Sequence, residues 1–208
     1  NVSRVSIAVA DWLNEKFDSP SVVIGHDCRF AGELFAETAA KVLASKGILV
    51  KLAKGFVSTP MVSLGVVQEN ANIGVVITAS HNPPSYNGYK LKGDFGGPLL
   101  QVDITDVESR IPDNNSCNYD DISIEELISE NKLIYVDLED MYCRHAEANF
   151  DLDTIRNSEM NFAYDAMFGA GMNAVKRLLP DARLLHCLAT GRTCSAKYLS
   201  CHVAVMYI

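Results

Sequence analysis

A chain of 208 residues, 48% hydrophobic and 21% charged, can build one large or two small domains around a real core. Its net charge of −8 argues against nucleic acid or an anionic membrane surface as partner, because both usually need a basic patch. No apolar run reaches the roughly 18 residues of a membrane span, and Asp, Glu and Lys punctuate the first 20 positions, so a cytoplasmic protein without a signal peptide is expected.

The elements follow in order. Residues 3 to 17 place Val5, Val9, Trp12 and Leu13 at helical spacing, and "DSP" closes that amphipathic helix. "SVVIG" at 21 to 25 reads as a β-branched strand ended by Gly. The Ala-rich stretch 32 to 47 reads as a helix stopped by Gly47, and "ILVKLA" as a second strand. A helix is predicted from Thr59, with Thr59 as N-cap and Pro60 at the first helical position, followed by a third strand in "NIGVVITAS". Strands alternating with helices predict βαβ units and a mainly parallel sheet. Functional residues then belong in the loops beyond the carboxyl ends of the strands: "GHDCRFAG", "GFVSTP" and "TASHNPPSYNG".

From 101 to 160 the chain turns acidic and helical, in the manner of an edge helix, a polar loop and a helical connector. "MNFAYDAMFGAGMNAVKRLLPDA" restarts a strand, a Gly turn and a helix, so a second α/β domain is expected to begin near 158. After Asp181 no Asp or Glu occurs, while Arg183, Arg192, Lys197, Cys187, Cys194, Cys201, His186 and His202 do. A shift that abrupt suggests a truncated, frameshifted or otherwise atypical tail. The six cysteines are scattered without chelating pairs and read as reduced thiols, with Cys28 a packing residue.

Chemistry concentrates in "VVITASHNPPSYNGYKLKG", residues 75 to 93. A Ser in a tight loop after a buried strand, with converging N–H groups and a cation nearby, can accept and donate a phosphoryl group. The simpler reading is that Ser, Asn, Pro and Gly merely make turns there.

The order of residues adds a further argument. "TASHNP" followed by "YNGYK" closely resembles the active-site serine loop of the α-D-phosphohexomutases, the phosphoglucomutase and phosphomannomutase superfamily. "VVIGHDCRFAGELFA" resembles that family's first strand and Asp-x-Arg turn, "VSTPMVSLGV" its Thr-Pro helix start, and "YDAMFGAG" the opening of its second domain. The resemblance spans roughly residues 3 to 185. It implies an α/β fold in which a mostly parallel mixed sheet is sandwiched between helices over 1–135, a helical connector over 136–157, and an incomplete second α/β domain over 158–208.

The resemblance also implies roles. Ser80 would be the phosphoserine that gives a phosphoryl group to a hexose phosphate and takes one back, and its phosphate would supply one oxygen ligand to Mg²⁺. His81 and Asn82 would shape the loop around that phosphate. Lys90 would stabilise charge or accept a proton at the transferring group, with a solvated loop lysine as the alternative. Arg29 would clamp phosphate oxygens in its planar fork, the alternative being an ion pair with Asp27, which itself would hold the loop. A glucose 1,6-bisphosphate-type activator and a hexose phosphate substrate follow from the same family.

The family's second-domain metal loop, Asp-Gly-Asp-x-Asp-Arg, its third-domain Glu-x-Ser segment and its C-terminal Ser-Gly-Thr phosphate loop do not occur in this sequence. The chain therefore reads as an N-terminal fragment of a mutase, weakly active or inactive alone, which could self-associate through the unfinished second domain. A noncatalytic sugar-phosphate-binding module is the rival reading. Two weaker signals remain. "GAGMNA" at 169 to 174 fits a dinucleotide fingerprint but lacks an acidic residue 20 positions on, and otherwise is a strand-to-helix turn. Cys187, Cys194, Cys201 and His202 lack the close spacing of a zinc site.

Overall fold

The computed structural model describes residues 1–83, 85–114 and 118–187 and the strand 205–207. The amphipathic start is helix α1 (Val2–Lys16), which buries Ile7, Val9, Trp12 and Leu13. It is followed by β1 (Ser21–His26), α2 (Gly32–Ser45), β2 (Leu49–Ala53), α3 (Thr59–Gln68) and β3 (Ile73–Ile77). The N-cap of α3 is Ser58, one residue earlier than expected, so Pro60 takes the second helical position.

These strands are apolar at nearly every position, as strands buried on both faces must be. Val22 and Ile24 pack into one apolar cluster with Leu13 and Leu43 of the α1–α2 layer, whereas Val23 between them joins Met61, Val62 and Val66 of α3. Period-2 alternation thus distributes one run of β-branched residues between two cores. Burying a side chain such as Leu13 or Leu43 contributes roughly 2 kcal/mol.

Two strands in this sheet had no counterpart in the sequence reading. β4 (Tyr89–Gly93) follows the serine loop, and β5 (Leu133–Val136) interrupts the acidic stretch read as an edge helix, a polar loop and a helical connector. Between them lie α4 (Gln101–Ser109), a 3₁₀ turn (Tyr119–Asp121) and α5 (Ile124–Ser129). The sheet order is β4-β3-β1-β2-β5, parallel throughout except for β4, which returns antiparallel to β3. Both unexpected strands are edges. Edge strands tolerate polar residues and are short, so "YKLKG", with its two lysines, and "LIYV", apolar but only four residues long, were weaker signals than the central strands.

The connector folds as α6 (Leu138–Asn149) and α7 (Leu152–Arg156), each capped by an Asp, Asp137 and Asp151. A second sheet follows, formed by β6 (Ala163–Asp165), β7 (Arg183–Leu185) and β8 (Val205–Tyr207) in the order β7-β6-β8. Helix α8 (Met172–Leu178) packs on α6: Ala174 and Leu178 join the α3–α6 cluster, and Arg177 reaches Asp140 at 2.6 Å and Glu147 at 3.2 Å. "GAGMNA" is the turn from β6 into α8, where a Cβ on Gly171 would stand 2.6 Å from the Tyr164 hydroxyl.

No disulfide joins the described cysteines, Cys28, Cys143 and Cys187. Cys194, Cys201 and His202 of the weighed zinc site lie outside the described residues. Among the described residues no helix is long and apolar enough to cross a membrane.

Gly25 marks where β1 meets α3 and the loop before it. A Cβ there would lie 2.5 Å from Val57 Cγ2 and 2.6 Å from Val62 Cγ2, and Val57 and Val62 are both fully buried. Gly25→Ala is therefore expected to lower the unfolding free energy by about 1–3 kcal/mol, read from the midpoint of urea denaturation, because the valines have little room to yield.

Candidate active site at the carboxyl ends of β1 and β3

Strands β1 and β3 are adjacent and parallel, with His26 opposite Ile77, so the loops that follow them leave the sheet side by side. The ladder runs one bond further, from Asp27 N–H to Ile77 carbonyl at 3.1 Å. Asp27 then turns back under both loops. One carboxylate oxygen accepts from Arg29 N–H at 3.0 Å, and the other accepts from the Thr78 hydroxyl at 2.6 Å. The second oxygen also lies 3.5 Å from Arg29 Nε, a charge contact without the geometry of a hydrogen bond.

Arg29 is almost wholly inaccessible, at 3% exposure. Its Nη1 donates to the carbonyls of Pro83 and Tyr86 at 2.9 and 3.0 Å, and its Nη2 to those of Ser80 and Asn82, both at 2.7 Å. Four carbonyls from one loop converge on one guanidinium. A buried cation needs such partners, since desolvation without them would cost several kcal/mol. Two arrangements were open for Arg29, a phosphate clamp or a pair with Asp27. Its terminal nitrogens face the loop backbone, and its Nε faces Asp27.

Ser80 sits where this scaffold is tightest. Its φ of +53° is left-handed, a conformation that costs a non-glycine residue about 1 kcal/mol or more and persists only when neighbours enforce it. The neighbours are identifiable. Ser80 N–H donates to the Thr78 hydroxyl oxygen at 3.1 Å, and its carbonyl is fixed by Arg29. Thr78 thus links Asp27 to Ser80. Sequence reasoning gave Thr78 no role of its own, although it opens the "TASHNP" motif.

Lys90 arrives by way of β4. Antiparallel pairing sets Lys90 opposite Val76, and its Nζ donates to Ser80 Oγ at 2.7 Å. The hairpin turns at Asn87-Gly88: Thr78 N–H donates to the Gly88 carbonyl at 3.0 Å, and a Cβ on Gly88 would stand 2.8 Å from the Thr78 carbonyl oxygen. Asn87 Nδ2 reaches the Phe30 carbonyl at 3.4 Å and so ties the hairpin to the β1 loop. On the opposite face of β4, the Tyr89 hydroxyl lies 3.2 Å from Ser6 Oγ of α1, and burial pushes its pKa far above the ordinary phenol range.

His81 and Asn82 are exposed beside Ser80. The Asn82 N–H donates to the Ala79 carbonyl at 3.0 Å, closing the turn, and the His81 ring makes no hydrogen bond among the described residues. Of the five expected site residues, Ser80 and Lys90 are in direct contact, His81 and Asn82 flank them, and Arg29 lies beneath. A cavity of about 650 Å³ opens beside Ser80 and Lys90, with Thr59, Lys92, Leu91 and Ile104 among its walls. The result is an accessible hydroxyl on a rigid loop, hydrogen-bonded to an ammonium and facing a cavity large enough for a sugar-sized ligand.

Comparison with known proteins places this arrangement. The family model described as phosphoglucomutase/phosphomannomutase, alpha/beta/alpha domain I, matches residues 1–117. A phosphoglucomutase of Staphylococcus haemolyticus is 32% identical over 182 residues, which cover 86% of this chain and 32% of that protein. One from Staphylococcus saprophyticus is 42% identical over 99 residues, covering 48% of this chain and 18% of that one. A solved structure from Thermus thermophilus, described as a phosphomannomutase, superposes with a TM-score of 0.76 at 30% identity, over 88% of this chain and 41% of its own. Parafusin of Paramecium shares the fold at a TM-score of 0.72 and 18% identity, over 89% and 40% of the two chains. The chain spans about a third of the length of the first of these curated relatives.

If Arg29 organises the loop, Arg29→Lys is expected to lower stability by about 3 kcal/mol, because an ammonium cannot serve four carbonyls in one plane. Hydrogen exchange over 78–88 should accelerate more than over the central strands. Unchanged exchange in that loop would show that Arg29 does not hold it.

Proposed function

The chain belongs to the phosphoglucomutase/phosphomannomutase family, and from that premise we propose that Ser80 is the residue that carries a phosphoryl group to and from a hexose phosphate. The observation that carries this reading is the 2.7 Å hydrogen bond from Lys90 Nζ to Ser80 Oγ, on a loop whose backbone carbonyls are held by Arg29. Preorganisation matters because phosphoryl transfer depends on positioning and charge stabilisation more than on covalent chemistry.

Starting from phosphorylated Ser80, the oxygen of a sugar 1- or 6-hydroxyl bonds to phosphorus as the bond from phosphorus to Oγ breaks. Lys90 gives a proton to the departing Oγ and recovers one from the sugar hydroxyl, so the serine is left neutral and the proton count closes. The reverse sequence, from the other end of the bisphosphorylated sugar, reloads Ser80 and releases the isomeric monophosphate. Arg29 acts as a positioning residue, holding the Ser80 and Asn82 carbonyls away from the incoming phosphate, and the exposed His81 and Asn82 border the space that the phosphate occupies.

Among the described residues no three His, Cys, Asp or Glu side chains come together to hold a metal ion, and Ser80 with its phosphate would offer one ligand group beside a lysine. The remaining ligands would have to come from elsewhere, so this chain alone is expected to turn over weakly or not at all. The same observation favours a second reading, capture of sugar phosphates at the loop without exchange.

The two are separated by intact mass and peptide mapping after incubation with glucose 1,6-bisphosphate and Mg²⁺. Phosphate is expected on Ser80 of the wild-type chain and absent in Ser80→Ala. Lys90→Met should slow its appearance by about 10²-fold, the usual loss when one donor to a developing oxyanion is removed. Binding of the bisphosphate with Ser80 unmodified would instead support the capture module.

A further inference from the structure

Lys92 follows Lys90 by two residues on β4, so both side chains leave the same face of the strand, about 7 Å apart along it. Tyr89 and Leu91 occupy the other face and pack into the α1–α2 core. The Lys92 stem starts beside Gly74 of β3, where a Cβ would come within 3.2 Å of Lys92 Cβ and 2.5 Å of Val66 Cγ2. Lys92 lines the cavity that Ser80, Lys90 and Thr59 also line.

No described residue is paired with this second cation. Among the described residues Lys92 has no ion pair and no side-chain hydrogen bond, although Glu108 stands on the wall of the same cavity. Partial burial first, and the like charge of Lys90 second, hold its pKa below the usual lysine value. Lys90 at least bonds to Ser80; Lys92 is left as a half-buried charge beside another positive group. In a chain with a net charge of −8, surface lysines readily find carboxylates, as Lys16, Lys46, Lys51 and Lys132 do. An anion in the cavity would offset both the desolvation and the repulsion.

We propose that Lys92 is a second anion-binding group of the Ser80 cleft, which holds a phosphate oxygen of the sugar bisphosphate that loads the serine. The inference rests on the reading of Ser80 as phosphoryl carrier and adds the residue that anchors its donor. Leu91, Ile104 and Val107 supply apolar lining elsewhere in the cavity.

The test is calorimetric binding of glucose 1,6-bisphosphate to the full chain carrying Ser80→Ala, which prevents transfer, compared with the same chain also carrying Lys92→Met or Lys92→Arg. Met keeps the length and apolar stem, so packing beside Gly74 is retained. Binding is expected to weaken about tenfold with Met and to stay within about threefold of the parent with Arg, as loss and retention of one charge-assisted hydrogen bond predict. Equal affinity in all three, an Arg variant as weak as Met, or no binding by the parent would each overturn the inference. Ser80 loading in the otherwise wild-type chain reads the functional assignment separately. If Ser80 takes no phosphate while binding still depends on Lys92, the carrier role fails and the anion site stands. If Ser80 loads with the same concentration dependence in wild type and Lys92→Met, the carrier role stands and the anion site fails.

Discussion

The geometry of this site depends on one buried guanidinium. Arg29 is enclosed by the serine loop, and every carbonyl it binds belongs to residues 80 to 86. A loop of Ser, Asn, Pro and Gly has no side chains with which to build a core, so its order must come from backbone hydrogen bonds. Arg suits the task because it offers two donors on each terminal nitrogen in a fixed plane, and because it remains charged when buried. Asp27 completes the arrangement by balancing that charge, orienting Arg29 through its backbone N–H and passing the constraint to Ser80 through Thr78. The left-handed Ser80 is the end of that chain of contacts.

This explains why two loops far apart in sequence behave as one unit. β1 and β3 are neighbours in the sheet, although α2, β2 and α3 separate them in the chain. Their common register brings Asp27 and Thr78 to the same level, and their parallel direction places both loops at the same sheet end. Central parallel strands, packed on both faces, provide the stiffest base the fold has. The Ser80 hydroxyl is therefore on a loop, but one whose ends and middle are tied to the core.

Much of this was legible in the residues. The runs "SVVI" and "GVVI" marked the central strands because burial on both faces leaves no polar positions to blur them. "TASHNP" with "YNGYK" marked the serine and its lysine. What escaped the sequence were features that depend on pairing rather than composition. β4 is an edge whose Lys alternation resembles a loop, and β5 is an edge of four residues set within an acidic stretch that otherwise resembles helix. The destination of the Arg29 side chain could not be read from an Asp-x-Arg turn, because a phosphate and four carbonyls present a guanidinium with similar oxygen acceptors. Thr78 was hidden for the same reason: a hydroxyl at a strand end is common, and only its two partners give it meaning.

The edge position of β4 bears on the charge of the site. Lysines on an edge strand discourage pairing with another chain, so Lys90 and Lys92 have a structural rationale wherever they occur on such a strand. Here the hairpin brings that face of the strand beside the serine loop, and Lys90 contacts Ser80 while Tyr89, on the reverse face, reaches Ser6 of α1. The period-2 alternation that sends Tyr89 toward the α1–α2 core sends Lys90 and Lys92 to the opposite face of the strand. A one-residue slip of the β3–β4 register would reverse both, burying the lysines and removing the cation from Ser80. The apolar packing of Tyr89 and Leu91 therefore holds the electrostatics of the site in place, and the positive charge near Ser80 is as firmly set as the core beneath it.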